Sequence, residues 1–130
     1  MKGLELILKY PLAGKVVKEW FFKSMLESFK DETVPDEFKE FMLEQGIEDD
    51  KIGILIDVNP RMLLDVYDDN KIFIEIIIYP NEEFTCKVGN QATTQSWKTR
   101  KGAELFAIEA AFEMLEERLI PKELNNEKNN

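Results

Sequence analysis

The sequence has 130 residues, of which 44% are hydrophobic, and its 26 acidic and 17 basic side chains give a net charge of −9. A chain of this size can bury about two-thirds of its unfolded surface, which predicts one domain that folds without a disulfide or a structural metal. Because histidine is absent, mechanisms that use imidazole as a base or ligand are excluded, including the common hydrolase triads and most zinc enzymes.

The charge is unevenly distributed along the chain. Residues 31–83 carry 16 acids and four basic residues, a net of −12, whereas residues 84–103 carry four basic residues and no acid. A polyanion would be repelled by most of the molecule. It could still meet the basic segment, because salt screens the repulsion beyond about 8 to 10 Å.

The N-terminal part of the chain predicts three helices. A short helix over 4–9 ends before Pro11, and a second over 12–30 follows. After a polar break at 30–33, a third helix begins at Pro35 and stops at Gly46, with acids in its first turn. The apolar residues of the second helix recur at three- and four-residue spacing: Val16, Val17, Trp20, Phe21, Met25, Leu26 and Phe29.

Residues 49–58 fit two structures equally well. Ile52, Ile54, Ile56 and Val58 alternate with other residues as in a strand. Ile52, Leu55 and Ile56 also satisfy helical spacing, so both alternatives stay open. Residues 60–68 favour a short helix, with Asn59 as its N-cap and Pro60 at its first position.

The next segment predicts a three-stranded antiparallel meander. Residues 72–78 are apolar on both sides, which is typical of a strand at the centre of a sheet. A turn at 80–83 leads to a second strand over 84–88 with one polar face. A turn at 89–91 then leads to a third strand over 93–97.

A long helix over 100–119 closes the domain, capped by Thr99 and ended by Pro121. Its apolar residues occupy two faces, so we expect one face to lie on the sheet and the other to cover helix 12–30 or a second subunit. The predicted architecture is therefore α+β, with N-terminal helices and a long C-terminal helix on a small sheet. We expect residues 1–120 to form the domain and 121–130 to be a polar, disordered tail.

The strand-to-helix junction is the main candidate site. Backbone N–H groups at a helix N-terminus, together with nearby cations, can hold an anion, and an aromatic ring can stack on a base. The predicted order of a helix, a three-stranded meander and a second helix that begins with basic residues resembles the double-stranded RNA-binding domain. In this sequence, however, acidic residues come directly after the basic ones. Alternatively, the tryptophan packs between sheet and helix and the cations are solvated. The candidate nucleic-acid-binding residues are Lys87, Trp97, Lys98, Arg100 and Lys101.

The remaining polar groups and the single cysteine are expected to have structural roles more than catalytic ones. Glu109, Glu113 and Glu116 share a helical strip that is either a carboxylate pair for acid and base catalysis or an exposed polar face. The acidic run at 65–69 lacks the glycine and closing glutamate of a calcium loop, so we expect it to cap a helix. The lone Cys86 is expected to be a small core residue. The single cysteine favours a reducing cytoplasm, and no apolar run is long enough for a membrane span.

Several motifs together resemble a group of small uncharacterised proteins from phages and mobile elements of gut Bacteroides-type bacteria. They are Lys9-Tyr10-Pro11, Val17-Lys18-Glu19-Trp20-Phe21, Asn59-Pro60-Arg61, Arg100-Lys101-Gly102-Ala103-Glu104 and Glu113-Met114-Leu115-Glu116. The resemblance spans most of residues 4–119, and its motifs are structural. It implies a context in mobile elements and no particular activity.

These observations predict a non-enzymatic accessory or protein-interaction domain without metal or cofactor. A homodimer through the second apolar face of the last helix is part of this prediction. Two alternatives stay open. One is nucleic-acid binding at residues 87–101, and the other is an inhibitor whose acidic residues 31–83 mimic nucleic-acid phosphates.

Overall fold

A computed structural model describes residues 2–28 and 35–121. These residues form an α+β fold in which helices pack around a long last helix that lies on an antiparallel sheet. The predicted fold class is confirmed. In chain order the elements are α1 (Gly3–Lys9), α2 (Pro11–Ser28), α3 (Asp36–Gln45), α4 (Asp49–Val58), a 3₁₀ turn (Pro60–Met62), α5 (Leu63–Asp69), β1 (Ile74–Ile78), β2 (Phe84–Val88), β3 (Gln91–Ala92) and α6 (Arg100–Leu119).

The three predicted N-terminal helices are present. α1 and α2 are separated only by Tyr10, and Pro11 opens α2, where its missing N–H costs no helical hydrogen bond. Gly46, at a φ of +67°, follows α3 in the left-handed conformation that favours glycine. The predicted polar break at 30–33 and the last predicted residues of the second helix lie outside the described residues.

Residues 49–58 are a helix, which decides between the two patterns that the sequence leaves open. Ile52 and Ile56, four residues apart, are fully buried in the core, while Ile54 and Val58 are exposed. The alternation of β-branched residues is therefore incidental. The helical spacing is the one that follows burial.

The sheet has the order β1-β2-β3, with both pairs antiparallel. The prediction that the apolar strand over 72–78 is central is wrong, because β1 lies at an edge and β2 is central. The third strand is also displaced from the predicted 93–97. It consists of Gln91–Ala92, and Trp97 adds one isolated bridge to Phe84.

This displacement has a local cause. Gly89, at a φ of +58°, turns the chain early, so pairing resumes at Gln91. The buried Thr85 hydroxyl then donates a 2.8 Å hydrogen bond to the Gln95 carbonyl. The Thr93 N–H still donates to the Cys86 carbonyl at 3.3 Å, and residues 94–96 then leave the ladder.

α6 buries two faces, as predicted. One packs on β2 and β1, and the other contacts α2 and α5. Thr99 is the N-cap, because its hydroxyl accepts a 3.1 Å hydrogen bond from the Gly102 N–H. Since α2 and α5 occupy the second face, that face is not available for the dimer that the sequence suggests. The largest fully buried side chains are Tyr67, Phe112, Ile52, Ile56, Leu63, Ile72, Ile108 and Leu115.

Carboxylates from distant parts of the chain cap α1 and α2. Glu116 of α6 accepts hydrogen bonds from the Leu12 N–H at 2.7 Å and the Ala13 N–H at 3.4 Å. Asp57 of α4 accepts one from the Gly3 N–H at 2.7 Å. A negative charge at a helix N-terminus interacts favourably with the helix dipole. The two N-terminal helices are thus fastened to α4 and α6.

The C-terminal end of α5 is capped by a cation. Arg118 donates to the Asn70 carbonyl at 3.3 Å, and the Asn70 side-chain amide donates to the Val66 carbonyl at 2.7 Å. The acidic run at 65–69 is therefore the end of a helix, as predicted. The predicted tail lies outside the described residues apart from Pro121. Among the described helices, none is both long and apolar enough to cross a membrane.

Candidate functional site

At the predicted basic junction, the aromatic ring of Trp97 packs against α6. Trp97 lies over Phe106 of α6 with ring centroids 4.8 Å apart, and its backbone exchanges two 2.7 Å hydrogen bonds with Phe84. Its side chain is half-buried between the strand and the helix. Trp97 therefore joins α6 to the sheet, and one side of its ring is already covered.

The cations of the junction are spread over two surfaces. Lys98, Arg100 and Lys101 are exposed around the start of α6, with the Arg100 guanidinium 5.7 Å from the centre of the Phe84 ring. Lys87 projects from the face of β2 opposite to Cys86 and Val88, directly across from Glu75 of β1. The structure thus brings together four of the five predicted residues and separates Lys87 from them.

The helix N-terminus at this junction is partly used. The Thr99 side chain takes the Gly102 N–H, and Glu104, one turn into α6, forms a 3.0 Å ion pair with Arg61. An anion would meet exposed cations here, without an enclosed pocket. This arrangement matches the alternative to a binding site, in which the tryptophan packs between sheet and helix and the cations are solvated.

The three glutamates of α6 do not converge. Glu116 binds the N-terminus of α2, whereas Glu109 and Glu113 are exposed along a cleft of about 330 Å³ between α1 and α6. Lys2 and Lys9 line the same cleft. Among the described residues, no group of three or more Cys, Asp or Glu side chains is arranged to hold a metal ion.

Cys86 is buried, and burial raises the pKa of its thiol. It lies at the base of a second cleft of about 370 Å³ between the sheet and α6, beside Val88 and Met114. A thiol without nearby cations in an apolar setting is a poor nucleophile. The predicted role as a core residue is confirmed.

The most prominent surface feature lies on α1 and α4, away from the predicted residues. Val58 is 79% exposed, Leu8 63% and Ile54 60%. Leu4 and Leu55 complete the set and are also exposed. We refer to these five residues as the α1–α4 surface. Soluble monomers rarely expose neighbouring large apolar side chains unless the patch binds something.

Two glycines create the α1–α4 surface by letting the helices touch. A Cβ at Gly53 would lie 2.7 Å from the Leu4 nitrogen, and a Cβ at Gly3 would lie 2.4 Å from the Gly53 carbonyl oxygen. Real Cβ atoms do not approach so closely, so only glycine fits at either position. The contact places Leu4 against α4 beside Ile54. Leu8 lies one helical turn beyond Leu4 on α1, and Val58 lies one turn beyond Ile54 on α4, each on its own side of the contact.

The helices of the α1–α4 surface carry charges of both signs, since Lys9 and Lys51 are exposed on them beside the acids. Residues 36–58, which include α3 and α4, contain eight acids and two lysines. Asp50 and Asp57 are exposed on α4 within one turn of Ile54, and Glu5 is exposed on α1. An apolar groove of about 440 Å³ continues from Ile54 and Leu55 toward Ile47 and Met25.

Sequence reasoning missed this surface because it used the apolar residues of 4–9 and 49–58 only to predict secondary structure. A signal was available. The seven residues of α1 include four large apolar side chains spread around the helix, and only Leu6 and Ile7 are buried. A single short helix on the outside of a domain cannot turn all of its faces inward.

Comparisons of this chain with protein-family models, with curated proteins and with solved structures find no match.

Proposed function

We propose that this chain is a protein-binding domain that docks a basic, amphipathic helical segment of a partner on the α1–α4 surface. The observation that carries the proposal is the exposure of Leu8, Ile54 and Val58 on two helices held in close contact. An amphipathic helix can pack its apolar face on such a surface, with contacts from apolar side chains spaced about one turn apart. The resemblance to proteins of mobile elements agrees with an accessory role of this kind.

Charge complementarity supports a basic partner. Asp50 and Asp57 are exposed on α4 and Glu5 on α1, so Lys and Arg on the flanks of a docked helix would meet these carboxylates. Such contacts steer association and fix orientation, while apolar burial supplies most of the affinity. Binding should therefore weaken with salt without disappearing.

The proposal is tested with two synthetic amphipathic helices of equal length. One carries leucines on one face and lysines on the other, and the second replaces the lysines with glutamates. We expect saturable binding of the Leu–Lys peptide by fluorescence anisotropy and little binding of the Leu–Glu peptide. Hydrogen exchange should slow in α1 and α4 on binding.

Matched variants locate the binding site. The double substitution Ile54→Ser and Val58→Ser removes two apolar anchors that are exposed in the free protein. It should therefore weaken binding of the Leu–Lys peptide at least about tenfold and leave the fold intact. Phe73→Ser removes an equally exposed apolar side chain from the sheet and should leave binding unchanged. Equal binding by all three proteins, or no saturable binding, would overturn the proposal.

Nucleic-acid binding at residues 87–101 is the weaker alternative. Trp97 is engaged with Phe106, and Lys87 lies opposite Glu75 on another surface. What supports it is the exposure of Lys98, Arg100 and Lys101. The phosphate-mimic alternative rests on the 16 acids of residues 31–83, which include Asp50 and Asp57 of α4. Because it needs no apolar anchor, the Ile54 and Val58 double variant separates it from the proposal.

A further inference from the structure

The outer edge of β1 is an unprotected strand edge. In the antiparallel ladder, Phe73 and Tyr79 direct their backbone toward β2, since the Phe73 carbonyl accepts from the Gly89 N–H and the Tyr79 N–H donates to the Glu83 carbonyl, both at 2.8 Å. Backbone direction alternates along a strand. Ile74, Ile76 and Ile78 therefore point their N–H and C=O groups outward, away from β2.

Among the described residues, nothing satisfies these outward groups. β1 is the terminal strand, it packs on β2 and α6, and Ile74, Ile76 and Ile78 make no backbone hydrogen bond beyond the sheet. Natural edge strands are usually blunted by an inward charge, a proline or a bulge. Within Ile74–Ile78 the sequence is Ile-Glu-Ile-Ile-Ile, and Glu75 projects from the outer face of the sheet. This edge has none of those protections.

We infer that the edge of β1 pairs with β1 of a second copy of this chain, antiparallel and with Ile76 on the two-fold axis. Two three-stranded sheets would then form one six-stranded sheet. The inference is independent of the α1–α4 surface, which lies on other elements.

The side chains of this register are self-complementary. On the face that carries α6, Ile74 would lie opposite the second copy's Ile78, and Ile76 opposite its own equivalent. On the outer face, Phe73 would meet Tyr79, and Glu75 would meet Ile77. Phe73 and Ile78 are 57% and 54% exposed in the single chain, so both gain burial. Each row across the new junction is apolar except the two symmetry-related rows that pair Glu75 with Ile77, and no like charges face each other.

Neighbouring registers fit less well. Moving the axis to Glu75 keeps the outward groups in phase but places the two Glu75 carboxylates directly opposite each other, which is destabilising. Moving it to Ile77 brings Pro80 opposite Ile74, and proline has no N–H to donate. The register centred on Ile76 is the one that pairs the whole of Ile74–Ile78 without either penalty.

The experiment compares two double variants that differ only in charge pairing. In the inferred dimer, Phe73→Lys with Tyr79→Lys puts lysine opposite lysine twice, whereas Phe73→Lys with Tyr79→Glu puts lysine opposite glutamate twice. Both variants lose the same exposed aromatic rings, and urea unfolding of each measures the remaining difference in the folded monomer, where residue 79 lies opposite Glu83. Sedimentation velocity is measured on the natural chain and both variants, up to millimolar protein.

We expect the natural chain to dimerise reversibly, the Lys/Lys variant to associate at least about tenfold more weakly, and the Lys/Glu variant to regain most of the loss. Amide hydrogen exchange provides a second readout. Ile74, Ile76 and Ile78 should exchange more slowly as concentration rises, whereas Glu75 and Ile77 are already bonded to β2 and should not change.

Three results would overturn the inference. They are a monomer at every concentration, a dimer that responds equally to both double variants, and protection of Ile74, Ile76 and Ile78 that does not depend on concentration. The last would show that another part of the same chain covers the edge.

Discussion

Adding one methyl group at Gly53 should loosen the contact between α1 and α4. An alanine Cβ there would lie 2.7 Å from the Leu4 nitrogen and 2.9 Å from the Leu4 Cα. Ordinary carbon contacts begin at about 3.5 Å, so α1 must move by roughly 0.7 Å. Backbone atoms cannot rotate aside as a flexible side chain would. The shift therefore acts on the whole helix and on its buried residues Leu6 and Ile7.

The size of the effect follows from two opposed terms. Gly→Ala in a helix interior favours the helix by about 1 kcal/mol. Overpacking of a tight contact costs about 1 to 3 kcal/mol, and here the obstacle is backbone, which places the cost toward the upper value. We expect Gly53→Ala to lower the free energy of unfolding by about 1 to 2 kcal/mol. Urea unfolding followed by circular dichroism measures it.

Gly14→Ala is the comparison variant. A Cβ at Gly14 would lie 3.0 Å from the Ile7 Cγ2 methyl and 3.1 to 3.3 Å from Ile7 backbone atoms, a milder approach than the one at Gly53. Its steric cost should nearly cancel the gain in helix propensity, so its stability should stay close to that of the natural chain. If Gly53→Ala is as stable as the natural chain or more stable, the glycine contact does not hold α1 against α4 as described.

Three further predictions concern other parts of the fold. Glu116→Gln removes the charge that caps α2 and should lower the free energy of unfolding by about 0.5 to 2 kcal/mol. The control Glu117→Gln, on the exposed side of α6, should cost little. Equal losses of the two variants in urea unfolding would refute the cap. Burial, and secondarily Glu109, raises the pKa of Tyr67. The free energy of unfolding should therefore be constant below pH 10, near the pKa of tyrosine in the unfolded chain, and should fall by about 1.4 kcal/mol per pH unit above it. Tyr67→Phe should flatten that slope when unfolding is measured from pH 9 to 11. At low salt, duplex DNA and RNA should not be retained in a gel shift; retention abolished by Lys98→Ala with Lys101→Ala would restore the nucleic-acid alternative.

Helices with a local signal could be predicted from the sequence. α2 and α6 have long apolar periodicities, and Thr99 and Pro11 mark their starts, so nearby residues are enough to predict where these helices lie. Residues 49–58 could not be decided in this way. Their helix depends on Gly53 meeting Gly3, a contact between residues that are far apart in the chain.

The errors in the sheet and in the site share one physical cause. Apolar residues on both faces of 72–78 predict a central strand, yet Phe73 and Tyr79 stay exposed on the outer face of an edge strand. Leu4, Leu8 and Ile54 likewise stay exposed on helices whose other apolar residues include buried ones. Periodicity indicates which residues can be buried by a neighbouring element. It does not indicate whether the same chain supplies that element.

The caps of the N-terminal helices impose an order on synthesis. The acceptor of the Gly3 N–H is Asp57, which is synthesised 54 residues later, and the acceptor of the Leu12 N–H is Glu116, which is synthesised 104 residues later. A ribosome has therefore made nearly the whole domain before the first helices can complete their hydrogen bonds. Until then both helices have uncapped N-termini, and α1, with seven residues, is too short to be stable alone in water. The N-terminal helices are therefore fully stabilised only after residue 116 has left the exit tunnel.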